Sequence, residues 1–147
     1  MDLGKIILNA HRGFAYLELL LIAVFVISLL VAMFGYSGKI SKLLRKSSLF
    51  TMIFFHIQFL IGLVMLFGTS GFGNAVEQLG MGGLMKNADL RFSYIEHPVT
   101  MLLAAVVMTI TNKKIKTNTT LNFGIVILGL VAVALFFARF PYAKLFG

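Results

Sequence analysis

The sequence predicts an all-α membrane protein, a four-transmembrane-helix up-and-down bundle, from three observations. Of its 147 residues 59% are hydrophobic and only 12% charged, where a soluble domain carries about a quarter charged residues. The mean hydropathy is +0.96. The apolar residues run in long stretches and lack the short periodic stripes that a water-facing surface requires. One domain over residues 1–147 is expected, with lipid as its solvent.

Four uninterrupted apolar stretches, 13–36, 48–69, 92–111 and 120–138, are each about the 20 residues needed to cross a hydrocarbon core of about 30 Å. The first is too long for the apolar region of a signal peptide, follows an N-terminus containing Asp2 and lacks a cleavage pattern, so it is expected in the mature chain. Between the first and second, Lys39, Lys42, Arg45 and Lys46 occur without an acid, and between the third and fourth so do Lys113, Lys114 and Lys116. Basic loops of this kind stay in the cytoplasm, which predicts both termini and the loop 70–91 outside. That loop, rich in glycine, reads as either a flexible lid or a short helix lying in the interface.

The composition excludes other classes. Without cysteine there is no disulfide framework, thiolate metal site or thiol nucleophile, so any metal must be held by His or carboxylate. The formal charge of +8 comes from clusters between apolar runs, where topology signals sit, and argues against a nucleic-acid partner.

Ionisable groups inside a bilayer are costly and usually face the bundle interior, pair or bind something. On the first helix His11 and Glu18 are seven residues apart, about two turns, so they share a face at depths differing by about 10 Å. Ala15 lies between them, leaving room for a planar ligand or for close helix packing. The third helix carries Arg91, Glu96, His97 and Pro98. His97 enters from the same outer side as His11, and Pro98 either holds it in extended backbone or, if the helix starts earlier, kinks the helix there. Arg139 emerges on that side too. On the second helix Thr51, Gln58, Gly62, Met65 and Thr69 form one stripe. His56 points about 200° away from Gln58 and suits a helix–helix hydrogen bond, another ligand pairing or a proton path.

Two imidazoles facing each other across a bundle suit iron in a planar macrocycle. Haem is the natural candidate: Arg12, Arg91 and Arg139 are available for its propionates, and Glu18 and Glu96 for orienting imidazole N–H groups. Pairing His97 with His56 instead would draw the haem toward mid-membrane, away from the arginines, which favours His11 and His97 as the metal ligands. With both axial positions filled by protein, electron transfer is expected in preference to ligand chemistry.

The motifs H-R (His11, Arg12), H-I-Q-F-L-I-G (residues 56–62), L-M-K-N-A-D-L-R-F-S-Y-I-E-H-P (residues 84–98) and R-F-P (residues 139–141) resemble a family of small bacterial four-helix membrane proteins described as cytochrome b-like. More distantly, the first-helix H-R, the Q-x-x-x-G and the third-helix His resemble one half of haem A synthase, a resemblance that implies His11 and His97 as axial ligands. Where that family's catalytic half has a Glu three residues before the H-R histidine, this chain has Leu8, and the external cysteine pair is missing, which speaks against haem hydroxylation. The resemblance implies haem binding. The first reading is a b-type cytochrome of the bacterial inner membrane, with haem b as cofactor and a membrane redox complex or quinone as partner. A homo-oligomer is also compatible with the sequence. Two competing readings stand beside it: a haem-free accessory subunit of a larger membrane complex, and a small ion or proton conductor using Glu18, His56 and Glu96. The second of these lacks the broken helices or inverted repeat of transporters.

Overall fold

The computed structural model describes residues 2–146, which are helical with no strand among them. Helix α1 (Leu3–Gly35) starts at Asp2, whose side chain accepts from Gly4 N. Helix α2 (Lys42–Gly68) is capped by Ser41, which accepts from Leu44 N at 3.1 Å. The segment 70–91 is helical: α3 (Ser70–Lys86) is broken at Gly80 (φ 69, ψ 168), a positive-φ conformation that only glycine adopts without strain. A one-turn helix, α4 (Ala88–Arg91), is capped by Asn87. It runs through a π turn (Phe92–Glu96) into α5 (His97–Thr117). Helix α6 (Phe123–Ala138) is capped by Asn122, and α7 (Tyr142–Phe146) follows Pro141. Each cap satisfies a backbone N–H that the first helical turn leaves unpaired.

Three segments are long and apolar enough to cross a membrane: Leu3–Gly35, Lys42–Gly68 and Ala88–Thr117. The helix in the fourth expected stretch, α6, is apolar but has only 16 residues, about 24 Å of rise. Large apolar side chains such as Leu20, Ile27, Phe34, Leu60, Phe67 and Ile127 are exposed, a surface consistent with a lipid environment.

The four principal helices pack in the cyclic order α1, α2, α5, α6, which puts α1 and α5 on a diagonal. Lipid tails are as apolar as the side chains, so close packing is what holds such helices together. Phe25, Leu29, Met108, Ala132 and Phe136 fill the middle. Gly129 permits the approach of α6, since an added Cβ there would lie 3.1 Å from both Leu29 Cδ2 and Phe25 Cζ.

The two short turns meet at one end. Leu121 N donates to Gly38 O at 2.7 Å and Ile40 N to Thr119 O at 3.1 Å. Gly38 has φ 83, and a Cβ on it would sit 3.0 Å from Leu121 O. Arg45 closes this end: its guanidinium donates to the carbonyls of Ile115 (2.6 Å), Lys116 (3.2 Å) and Asn118 (2.7 Å). A cation there satisfies the orphan carbonyls at the C-terminus of α5 and opposes its dipole. Consecutive principal helices therefore run antiparallel, and the N-terminal parts of α1 and α5 share the opposite end.

Candidate functional site

At that opposite end lies a cavity of about 350 Å³, walled by α1, α2, α5, α6, the π turn and α7. Its walls come from the spacings read in the sequence. His11, Ala15 and Glu18 line it from α1, and Gln58, Gly62, Met65 and Thr69 from α2. Phe55, Met101, Phe136 and Phe140 make much of it apolar.

His97 reaches the cavity from α5 through the π turn. Pro98 has no N–H, so the α-helical bond to Tyr94 O is missing. Helical backbone continues because His97 N donates five residues back, to Phe92 O. His97 is accordingly helical (φ −62, ψ −52), which resolves the two backbone readings of the sequence in favour of the earlier helix start. A π turn inserts one residue into the helix and re-aims the side chains after it. The His97 ring is held at Nδ1, 2.8 Å from Arg139 O. A carbonyl only accepts, so Nδ1 carries the proton and the Nε2 lone pair of the neutral ring is left free.

His11 stands across the cavity. Its backbone carbonyl accepts from Gln58 Nε2 at 2.7 Å, and its ring packs over the bare backbone of Gly62, where an added Cβ would come within 3.7 Å of Cε1. The His11 and His97 ring centroids are 6.3 Å apart with their planes crossed at 85°.

Four buried side-chain atoms lack a hydrogen-bond partner among the described residues: His11 Nδ1, both carboxyl oxygens of Glu18, and Gln58 Oε1. All belong to residues that line this cavity. Glu18 is 1% exposed and has no ion pair among the described residues. Buried polar groups left unpaired cost free energy and call for an explanation such as a ligand or enclosed water.

Several expected roles change. Arg91 and Arg139 are not among the residues that line the cavity; each donates through Nε to a different oxygen of Glu96 at 3.0 Å. Each also donates to a carbonyl, Arg91 to Met85 O and Arg139 to Ala138 O. Glu96, in turn, orients these two guanidinium groups and no imidazole; the imidazole of His97 is oriented by Arg139's backbone. Arg12 keeps its place on the cavity wall, with no ion pair among the described residues. His56 stays away from the cavity, as its helix face requires. Its Nε2 donates to Thr109 Oγ1 at 2.7 Å, while that hydroxyl donates to Ala105 O.

Two lining residues had no assigned role. Gln58 was visible on the stripe with Gly62, but its donor–acceptor split was not. Lys144 lines the cavity from α7 and donates to Ser93 Oγ at 2.7 Å; nothing near it in the sequence pairs it with a residue 51 positions earlier.

No group of three or more His, Cys, Asp or Glu side chains able to hold a metal ion occurs among the described residues. Two imidazoles complete a coordination sphere only around a metal whose other ligands come from elsewhere, as in a macrocycle. Comparison of the chain with protein-family models, with curated proteins and with solved structures finds no match.

Proposed function

We propose that the chain is a b-type haem-binding integral membrane protein that transfers electrons within a respiratory or quinone-linked chain of the bacterial inner membrane. In this reading α1, α2, the segment Ala88–Thr117 and α6 all cross the bilayer, with both termini outside and one haem near the outer face between His11 and His97.

The observation that carries it is the His11–His97 pair. Their ring centroids lie 6.3 Å apart, close enough that His11 and His97 would hold one metal ion between them, given metal–imidazole bonds of about 2 Å. Ligating histidines almost always donate their other ring N–H to a carbonyl or carboxylate, as His97 does to Arg139 O. The apolar wall suits a macrocycle face, and the volume falls within the range of about 300–1,000 Å³ usual for small-molecule sites. When bound, haem supplies the one-electron iron couple; the protein supplies ligation, orientation and exclusion of water.

The topology rests on charge. Arg45 and the Lys cluster around it sit at the same end as Lys113, Lys114 and Lys116, as the positive-inside rule asks. The short α6 is accommodated by local thinning of the bilayer at a modest cost.

A haem-free accessory subunit is the second reading, favoured by the pairing of Arg91 and Arg139 with Glu96, an acid of the chain itself. The dithionite-reduced minus oxidised spectrum of the purified protein, with a pyridine haemochrome assay, separates the two. Sharp α and Soret bands at about one haem per chain are expected. A colourless protein after haem-supplemented expression overturns the haem reading and turns attention to partner subunits.

A further inference from the structure

Arg91 and Arg139 pair with Glu96 away from the cavity wall; two other cations line the cavity, neither with an ion pair among the described residues. Arg12 follows His11 on α1, and Lys144 lies on α7. The one acid lining the cavity, Glu18, lies about 10 Å deeper than His11 along α1.

Lys144 is held in place from two sides. Its ammonium donates to Ser93 Oγ of the π turn, leaving two of its three N–H donors unengaged. One residue on, the carbonyl of Leu145 accepts from Tyr16 OH of α1 at 3.0 Å. The short helix thus bridges α1 to the π turn and forms a wall of the cavity between them. One cation therefore stands beside His11 and the other beside the π turn that presents His97.

We infer that Arg12 and Lys144 form a carboxylate clamp at the rim of the cavity, so that its ligand is an amphiphile with a flat apolar body between the imidazoles and acidic groups at the outer edge. This rests on the haem reading, in which the two propionates are those acids. It assigns the clamp to a residue of α7 and removes Arg91 and Arg139 from it. Arg12 offers a planar fork for bidentate pairing, whereas Lys144 offers a point charge.

The test is a cycle between the protein's cations and the ligand's acids. Affinities of the full-length protein in detergent for haem and for haem dimethyl ester, which keeps the macrocycle and iron but loses both charges, are measured by Soret titration in wild type, Lys144→Met, Arg12→Met and Arg91→Met. Charge-assisted pairs of this kind are worth roughly tenfold each. Wild type should hold haem at least roughly tenfold tighter than the ester. Lys144→Met and Arg12→Met should each narrow that gap without weakening the ester, Lys144→Arg should restore it, and Arg91→Met should leave it unchanged. Because the ester reports separately on an intact cavity, a misfolded variant shows itself by losing both ligands. Equal affinity of wild type for haem and ester, or a gap unaffected by Lys144→Met and Arg12→Met, overturns the clamp and leaves haem binding standing. Uptake of neither ligand by wild type overturns the haem reading and the clamp with it.

Discussion

The two ends of the helix bundle treat buried polarity in opposite ways. At the end built from the turns 36–41 and 118–122, Ser48 Oγ donates to Asn112 Oδ1, Ser47 Oγ to Leu44 O, Thr111 Oγ1 to Val107 O, and Arg45 to three carbonyls. At the histidine end, the four orphaned atoms of His11, Glu18 and Gln58 surround open space. An end whose donors and acceptors close on one another has a structural task. An end whose polar groups face a cavity leaves them unpaired and forgoes the close packing on which apolar helices rely.

The largest effect that tests this contrast is on ligand retention. If haem is held between the two rings, His11→Ala and His97→Ala should each remove the reduced α and Soret bands almost completely, because each would take away one of the two residues that hold it. His56→Ala should leave the spectrum intact, since its ring is bonded to Thr109 outside the cavity. Haem stoichiometry by pyridine haemochrome is the measurement. A spectrum lost in His56→Ala and kept in His11→Ala would break the comparison at its root.

Next in size is the closed end. Arg45→Ala removes three charge-assisted hydrogen bonds to the last carbonyls of α5 and should cost about 2 kcal/mol of stability in detergent unfolding. The site lies at the far end of the bundle, so haem content of the folded fraction should not change. A loss of haem without a loss of stability would mean that the two ends are coupled.

The sequence made the faces legible but not the partnerships. Seven-residue spacing put His11, Ala15 and Glu18 together, and the α2 stripe ran into the same cavity, because helical periodicity is local and a single chain displays it. His56 was separated from Gln58 on the same grounds. What stayed hidden depends on distances across the bundle. Glu96 draws in Arg91 from five residues earlier and Arg139 from 43 residues later, so three charges that look separate in sequence become one cluster. The tautomer of His97 is set by a backbone carbonyl, which carries no side-chain signature. The Pro98 ambiguity could not be resolved locally because the π turn is the compromise between a missing N–H and a helix already under way from Ala88. Lys144 was invisible as a site residue because α7 is positioned by contacts distant in sequence, Leu145 O with Tyr16 and the Lys144 ammonium with Ser93 among them.

The smallest effect has the opposite sign. Glu18 is buried without a hydrogen bond, and replacing an unsatisfied buried polar group by an apolar one of similar shape is neutral to stabilising. Methionine matches the length of glutamate and adapts to irregular gaps. Glu18→Met should therefore raise the stability of the haem-free protein by about 1 kcal/mol, read as a higher unfolding midpoint. The same type of change at the closed end, Ser48→Ala, strands Asn112 Oδ1 and should lower it by about 1 kcal/mol. Measured side by side in haem-free protein, the two variants turn the difference between the ends into a difference of sign. If Glu18→Met destabilises as much as Ser48→Ala, the carboxyl has a partner of its own, and the histidine end is as closed as the other.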